Sequence, residues 1–537
     1  MDEVKRALPS VRASGVSRRA FLNEGAAWGL SASTVGRLLA VGAAPAAGVL
    51  AGCGTDSEST GTVARDGGPS GVIVIGNAEP PTSAYWDPHA QFGLADTQLW
   101  SLTYDMLLSY DKSGRVVGGL ARRWHRTSPQ RMRLELRRDA RFQDGAPVLA
   151  KDVKASLDRL GDPESRLVLS AYATPGMKVE VIDEHTVEIV TPRPFGPLES
   201  ALTLFAIVPA SDVANPDVFR DRPLGSGAFR FVRYKNNVVE LVANERYWRG
   251  KPGSKGVELR YIADPEARLN ALLTGAIDIY TRGSSLTLDA TKKDGYHVTT
   301  TGPASQLIYI PQHNTALSDP RVRQAIAHAI DRRAIAKSLI RIDPPARSSL
   351  PAGTDGFRPL APSFEYDPEK ARSLLAEAGH GDGLKINMAS SNLVTHQPAI
   401  DQLVKSWLEE VGIEVELRTL ETGTFRSSYN QYALSFNALG TMNPDPDSLL
   451  TFFRPVVAQA ALNLDDPKIG RLLQRTRETT GAARRAAIDA YASYLWQNQI
   501  MIYVTDDIWF TVVNPKLRDY HRTPQQGEPL LWRASKA

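Results

Sequence analysis

The sequence predicts an α/β architecture, because segments with the period of a strand and segments with the period of a helix alternate along the chain from residue 71 onward. Apolar and polar residues alternate over 131–137, which is typical of a half-buried strand. Asp-Pro pairs recur ahead of apolar stripes at helical spacing. Each pair supplies an N-cap oxygen and a first residue with a preset φ, so each predicts the start of a helix.

The strands are predicted from short apolar or alternating runs. Gly71–Ala78 is an apolar run of the length expected for a buried strand. The remaining strand signals of the first half lie at 131–137, at 186–190 and, as a hairpin turned at Asn236-Asn237, at 228–233 and 238–242.

Four helices are predicted from caps and apolar stripes. Val322, Ala325, Ile326 and Ala329 show the stripe most clearly. Asp264-Pro265, Asp319-Pro320 and Asp367-Pro368 open three of the helices, Gly275 and Gly379 end the first and third, and the fourth covers 398–411, ends at Gly412 and leads into a strand at 413–417.

The bulk composition is that of a globular protein. The chain has 537 residues, 42% of them hydrophobic and 23% charged, and one cysteine. A net charge of +4 is small for this length and gives no indication of nucleic-acid binding. One cysteine excludes a disulfide framework, and the length suffices for two or three domains. We expect a monomer.

The first 53 residues resemble an export and anchoring signal. Ser17–Asn23 is similar to the twin-arginine signal, with Arg18 and Arg19 as the paired arginines, and Leu50–Cys53 is similar to a lipobox. The sequence therefore predicts a signal peptide over 1–52 and a lipid on Cys53. It then predicts a flexible tether over 53–70 and a location at the outer face of the bacterial cytoplasmic membrane.

Motifs of catalysis and cofactor binding are mostly missing from the sequence. The histidines are scattered without ligand spacing, so no metal site is predicted, and no cofactor is expected. Ser109 and Lys112 satisfy the S-x-x-K pattern of penicillin-recognising enzymes. A hydrolase that uses this pair stays open as an alternative, although the supporting motifs do not follow.

Several blocks resemble the family 5 extracellular solute-binding proteins, which are the peptide, dipeptide and nickel receptors of bacterial ABC importers. Leu120-Ala121 with Trp124, and Leu136–Val153, are similar to the family's "LAxxW … LRxxxxFxDGxPxxAxDV" signature. The blocks follow the family's order and lie at Ser109–Leu160, Pro223–Trp248, Ala267–Asp278, Asp319–Asp331 and Tyr366–Gly379.

The resemblance implies a two-lobed clamp of the large peptide-binding type, with three domains and a discontinuous first domain. The implied core of lobe I covers 71–110 with 222–312 and 501–537, its extra domain covers 111–221, and lobe II covers 313–500. The implied function is that of a substrate-binding lipoprotein. It closes on its ligand by hinge motion and delivers it to ABC permease subunits in the membrane.

The resemblance also implies the ligand contacts. In peptide-binding relatives the ligand pairs its backbone with two protein strands. Asp87-Pro88-His89 matches the landmark before the first strand, and Asp445-Pro446-Asp447 matches the turn after the second. The implied ligand residues are therefore Phe92, Gly93 and Leu94 on one side and Ala438, Leu439, Gly440, Thr441 and Met442 on the other, with Arg426 as a candidate for binding a ligand carboxylate.

One position departs from the family pattern. Met442 stands about where peptide-binding relatives carry an aspartate for the ligand ammonium. Either Asp445 or Asp447 takes that role, or the ligand lacks a free amine there; both aspartates are otherwise interpreted as N-capping residues of a helix over 448–453. We expect an oligopeptide or peptide-like ligand. A sugar, opine, metal chelate or pathway intermediate stays open.

Overall fold

The computed structural model describes residues 71–81, 86–90, 93–283, 285–291, 295–300, 305–337, 345–391, 396–453, 458, 461–507, 510–523 and 529–536. All of them belong to one compact unit, Gly68–Ala537. The predictions for Arg18, Arg19, Cys53 and Phe92 fall outside the described residues.

Strands and helices alternate as the sequence predicts. The strands are β1 Val72–Asn77, β2 Leu108–Tyr110, β3 Val116–Gly118, β4 Ala121–Ser128, β5 Arg131–Leu136, β6 Lys178–Asp183, β7 Thr186–Val190, β8 Phe229–Lys235, β9 Val238–Ala243, β10 Gly256–Tyr261, β11 Ile279–Gly283, β12 His297–Thr300, β13 Ser305–Pro311, β14 Leu384–Ser390, β15 Ile413–Thr419, β16 Leu434–Gly440, β17 Ile502–Asp507, β18 Phe510–Val513, β19 Leu517–Arg518, β20 His521–Arg522, β21 Pro529–Leu530 and β22 Ser535–Lys536. The helices are α1 Leu94–Thr103, α2 Ala150–Gly161, α3 Leu198–Ala201, α4 Ala210–Ala214, α5 Pro265–Leu273, α6 Ser285–Thr291, α7 Pro320–Ala329, α8 Arg332–Ile335, α9 Pro368–Glu377, α10 Gln397–Glu410, α11 Thr422–Ser428, α12 Asp447–Leu450, α13 Pro467–Glu478 and α14 Gly481–Gln497.

The first sheet has seven strands in the order β12-β18-β11-β1-β10-β9-β8. β1 is central and parallel to both β10 and β11. Ile73 and Ile75 lie in one buried cluster, whereas Val74 lies in another, so the strand is buried on both faces. A strand buried on both faces has no polar side to alternate, which explains its continuous apolar run. The predicted hairpin forms β8 and β9, with Asn236 and Asn237 at positive φ.

A four-stranded sheet, in the order β4-β5-β7-β6, packs against α2. Met132, Leu134 and Leu136 of β5 are buried in its core, and this confirms the predicted alternation. We refer to residues 107–207, which supply this core, as the small domain.

The third large sheet has five strands in the order β15-β14-β16-β13-β17. We refer to residues 305–507, which carry this sheet, as the second lobe. The predicted caps are confirmed by hydrogen bonds. The carboxylates of Asp319 and Asp367 accept the backbone N–H groups of Arg321 and Lys370 at the starts of α7 and α9.

The chain passes between the seven-stranded and five-stranded sheets at two neighbouring places. Thr300 pairs with Phe510 in the first sheet, and Ser305 pairs with Asp507 in the second. The division into three domains stays a prediction. Sheet membership nevertheless places β13 and β17 in the second lobe, so the boundaries at 312/313 and 500/501 require correction. An apolar strand sequence does not specify which sheet the strand joins.

Candidate functional site

The strand β16 contains the first group of predicted ligand residues, Ala438, Leu439 and Gly440. β13 pairs with β16 along its whole length, from Leu434 to Gly440. On the other edge, β14 pairs with it only at Leu434 and Ser435. In the described part of the chain, the residues that follow Ser435 therefore have a neighbouring strand on one edge only, and Ala438, Leu439 and Gly440 are half-buried.

The backbone of Ala438 shows how this edge is satisfied. Its N–H donates to the side-chain Oδ1 of Asn437, at 2.8 Å. The side chain of Asn437 thus accepts from a backbone N–H that the carbonyl of a paired strand could otherwise use. The predicted ligand strand therefore has a main-chain edge that an extended partner can reach.

The turn after β16 lies where the second lobe contacts the small domain. Met442 is half-buried and packs against the apolar core of the small domain. Asn443 is buried, and its Nδ2 donates to the carbonyl of Ser200 at 3.3 Å. Thr441 is fully buried, and its Oγ1 makes no hydrogen bond with described residues. Met442 and Asn443 thus lie at the seam, the contact between the second lobe and the small domain.

Both aspartates of the Asp-Pro-Asp turn form buried ion pairs. The two carboxylate oxygens of Asp445 accept from Arg484 Nη1 and Nη2 at 2.8 and 2.7 Å. Arg477 Nε lies 3.1 Å from Asp447 Oδ1. Burial raises the pKa of Asp447, and Arg477 opposes that rise. The charges of both aspartates are therefore compensated by arginines of the protein.

The N-cap position of α12 is Pro446, so neither aspartate occupies it, and Asp445 instead closes the turn before the helix. Its Oδ1 accepts the backbone N–H of Asp447 at 2.8 Å, at the first residue of α12. Asp447 accepts instead from the hydroxyl of Thr451, one turn later in the chain. Asp445 thus combines a backbone contact with its ion pair, and its position is fixed from both sides.

The prediction of a strand at Gly93 and Leu94 is wrong for Leu94, which begins α1. The backbone N–H of Gly93 donates to Asp96 Oδ2 at 3.0 Å, and the Thr97 hydroxyl donates to the Gly93 carbonyl at 2.8 Å. These two bonds from residues of the first helical turn fix a helix start at Gly93 and override an extended conformation of Leu94. The backbone of Gly93 is therefore already used by the helix.

The Asp87-Pro88-His89 landmark anchors the chain to the small domain. His89 is fully buried, and its Nε2 lies 2.8 Å from the carbonyl of Ala206. Asp87 forms an ion pair with Arg159 of α2. Burial lowers the pKa of His89 to about 4, helped by the Arg159 charge, so this imidazole is neutral at pH 7. The landmark has a structural role before any ligand is considered.

The remaining predicted residues are Arg426, Ser109 and Lys112. Arg426 is exposed on α11, so its role with a ligand carboxylate stays a prediction. Ser109 is half-buried in β2, where its hydroxyl contacts the carbonyl of Tyr110 at 3.4 Å, and Lys112 is exposed in the turn that follows.

Sequence reasoning did not identify Arg477, Arg484 or Tyr110 at the seam. Arg484 lies 39 residues from Asp445, so no local spacing could indicate the pair. Tyr110 belongs to the small domain, and its pKa is raised by burial and by the charges of Asp445 and Asp355 of the second lobe. These contacts follow from the packing of the lobes and not from a sequence motif.

Metal-ligand clusters and membrane-spanning helices are both missing from the described ranges. No group of three or more His, Cys, Asp or Glu side chains there could hold a metal ion. Within the same ranges, no helix combines the length and apolar character that a membrane span requires.

Comparisons with known proteins identify relatives that cover most of this chain. The family model of bacterial extracellular solute-binding proteins, family 5 (middle region), matches residues 115–458. The putative ABC transporter peptide-binding protein of Brucella ovis is 30% identical over 424 residues, which cover 72% of this chain and 78% of the relative.

Two solved structures share the fold at low identity. The binding protein AgaA of A. tumefaciens R10, solved with agropinic acid, has a TM-score of 0.76 and 23% identity over 87% of this chain and 99% of that protein. The dipeptide binding protein of Pseudoalteromonas sp. SM9913, solved with Met-Leu, has a TM-score of 0.77 and 19% identity over 87% and 100%. The predicted two-lobed α/β clamp is confirmed. The fold accommodates different ligands, so it does not identify the ligand of this chain.

Proposed function

The chain belongs to the family 5 bacterial extracellular solute-binding proteins, and from this premise we propose that it is the receptor of an ABC importer for peptides or peptide-like solutes. It captures the solute between its lobes and delivers it to permease subunits in the membrane. The similarity to the putative ABC transporter peptide-binding protein of Brucella ovis supports this proposal. The family consists of solute-binding proteins, and we propose no catalytic role for Ser109 and Lys112.

The observation that carries the proposal is the half-open edge of β16, the edge from Phe436 to Gly440 along which β14 does not pair. Alternate residues of a strand direct N–H and C=O groups away from a neighbour, and an extended peptide can pair with them. Such pairing gives affinity without reading the ligand's side chains. The N–H of Ala438 is the clearest candidate, because Asn437 supplies an acceptor from its side chain that a ligand carbonyl can replace.

A non-peptide solute, such as an opine, a sugar, a metal chelate or a pathway intermediate, is the second candidate. The compensated charges of Asp445 and Asp447 favour it, because neither carboxylate is left over for a ligand ammonium. Solutes extracted from the purified protein and identified by mass spectrometry distinguish the two candidates. A co-purified peptide supports the first, and an opine or sugar supports the second.

We expect a panel of short peptides to bind saturably and without turnover in calorimetry. For a peptide that binds, N-acetylation is expected to change the affinity less than threefold. Loss of a charge-assisted hydrogen bond costs about 1.5–3 kcal/mol, or roughly 10- to 150-fold in affinity, and would appear only if a carboxylate anchored the amine.

The control is the same peptide with one inner amide N-methylated, which removes a main-chain donor. This change is expected to weaken binding at least as much as the loss of one hydrogen bond. If the N-methylated peptides bind as well as their parents, β16 does not pair with the ligand. If no peptide of the panel binds, the peptide proposal fails and the non-peptide candidate takes its place.

We also propose that the chain is exported by its twin-arginine signal and anchored through a lipid on Cys53. The order of Arg18, Arg19 and Cys53 in the sequence supports this. Replacement of Cys53 by Ser is expected to move the protein from the membrane pellet to the soluble extracytoplasmic fraction, because the lipid is lost. Replacement of Arg18 and Arg19 by Lys is expected to retain it in the cytoplasm. An unchanged distribution of either variant would contradict the corresponding half of the proposal.

A further inference from the structure

The C-terminal end of α13 makes several polar contacts between the second lobe and the small domain. The carbonyl of Arg477 accepts the backbone N–H of Gly196 at 2.6 Å. Arg477 Nη2 donates to the carbonyl of Ala173 at 3.1 Å. The guanidinium lies 4.8 Å from the ring centroid of Phe195, within the range of a cation–π contact. One residue of the second lobe thus contacts the small domain in three ways.

The other side of this contact is shaped for close approach. A Cβ atom on Gly196 would lie 2.2 Å from the carbonyl oxygen of Thr479 and 2.7 Å from Cδ of Arg484. No side chain larger than hydrogen fits between these backbones while the lobes are in this arrangement. Next to it, Arg193 pairs with Glu478 at 3.1 Å in an exposed position, which contributes little by itself. The close contact therefore depends on Gly196 and Arg477.

Arg477 also binds within its own lobe, to the turn that follows the ligand strand. Its Nε lies 3.1 Å from Oδ1 of Asp447. Asp447 is buried, with 4% of its surface exposed. A buried carboxylate requires its partner cation in every state of the receptor. The contacts with Ala173, Phe195 and Gly196 join the second lobe to the small domain, whereas the pair with Asp447 lies within the second lobe. Separation of the lobes would therefore break the first set of contacts and spare the pair with Asp447.

We propose that Arg477 is a closure clasp, a positioning residue that joins the turn after β16 to the small domain and thereby sets how long the closed receptor keeps its solute. The inference rests on the proposed function, because it assigns to Arg477 the retention of the captured solute. The clasp acts through lobe closure and requires no direct contact with the ligand. It therefore affects the dissociation rate more than the association rate.

The test uses Arg477→Lys, because lysine keeps the charge that Asp447 needs. A lysine ammonium cannot reproduce the planar guanidinium that pairs with Asp447, donates to the carbonyl of Ala173 and lies over the ring of Phe195 at the same time. Phe195→Leu is the second variant and removes the ring from the other side of the seam. Arg475→Lys, on the exposed face of the same helix, is the matched control.

Lobe closure is measured by single-molecule FRET in the full chain, with labels on Glu164→Cys of the small domain and Arg471→Cys of α13, in a Cys53→Ser background. Both labelled positions are exposed. Arg477→Lys is expected to lower the ratio of closed to open molecules about tenfold. Phe195→Leu is expected to lower it less, and Arg475→Lys not at all. The double variant Arg477→Lys with Phe195→Leu is expected to change the free energy of closure by less than the sum of the two single changes, because both substitutions remove the same contact.

Ligand kinetics give the second readout. For the peptide of the panel that binds most tightly, Arg477→Lys is expected to raise koff about tenfold and to leave kon within a factor of two. The midpoint of urea unfolding is expected to stay unchanged, which separates a clasp from a merely structural role. Unchanged FRET distributions in Arg477→Lys and Phe195→Leu would overturn the clasp. The FRET measurement needs no ligand, so its outcome tests the clasp even if no peptide binds. Calorimetry tests peptide binding separately, so failure of the clasp and failure of the proposed function can be told apart.

Discussion

Replacement of Asp401 by Asn is expected to raise the free energy of unfolding by about 2–4 kcal/mol at pH 8 and to leave it nearly unchanged at pH 4. Asp401 lies in α10 with no exposed surface, and the hydroxyl of Tyr309 donates to its Oδ1 at 2.7 Å. Burial raises the pKa of this carboxyl to about 7, against a value near 4 in an unfolded chain. The asparagine keeps the acceptor for Tyr309 and carries no charge.

The direction of the pH effect follows from proton binding. Between pH 4 and 7 the folded protein holds a proton on Asp401 that the unfolded chain has released, so the wild type loses stability as the pH rises through this window. Above pH 7 both states are ionised, and the loss is complete. Asp506, whose pKa is raised by burial to about 6, adds a similar dependence that the variant retains. The informative quantity is therefore the difference between variant and wild type.

Urea unfolding at pH 4, 6 and 8 measures that difference. Asp382→Asn, at an exposed position of the same lobe, is the matched control and is expected to change the free energy of unfolding by less than about 0.5 kcal/mol at every pH. A constant difference between Asp401→Asn and the wild type across the three pH values would show that folding does not change the pKa of Asp401 and would contradict this prediction.

Local signals in the sequence predicted the helices well. Asp319 and Asp367 cap their helices as expected, because a cap and a first turn involve residues only two or three positions apart. The same logic could have identified the start of α1. Asp96 stands three residues after Gly93 and accepts its backbone N–H, which is the N3 half of a capping box, although the family resemblance predicted a strand here.

Non-local features were harder to predict for a physical reason. The apolar sequence of β13 shows that the strand is buried, but any of the sheets could bury it, so the domain boundary was misplaced. At the site, Ala438 was predicted from resemblance, and its half-open edge became visible only with the positions of β13 and β14. The partners of Asp445 and Asp447 come from α13 and α14, and no motif links them.

Replacement of Arg484 by Ala is expected to lower the free energy of unfolding by about 3–5 kcal/mol. Arg484 makes two hydrogen bonds to Asp445, and its side chain is 15% exposed against 9% for Asp445. Without Arg484, the carboxylate of Asp445 stays buried and has no cation beside it. A buried unpaired charge destabilises the folded state more than a buried ion pair or an uncharged group does. Urea unfolding at pH 7 measures the loss. Arg485→Ala, an exposed neighbour in the same helix, is expected to have little effect.

The double variant Asp445→Asn with Arg484→Met decides whether Asp445 serves the fold or the ligand. If the pair is structural, removing both charges recovers most of the stability, and peptides with free and acetylated amines keep their relative affinities. If Asp445 anchors a ligand ammonium, the double variant loses affinity selectively for the free amine, by roughly 10-fold or more. We expect the first result. Asp445 already accepts two hydrogen bonds from Arg484 and one from the backbone of Asp447. A ligand ammonium would have to displace a cation that the fold holds in place, whereas the edge of β16 is available without breaking any ion pair.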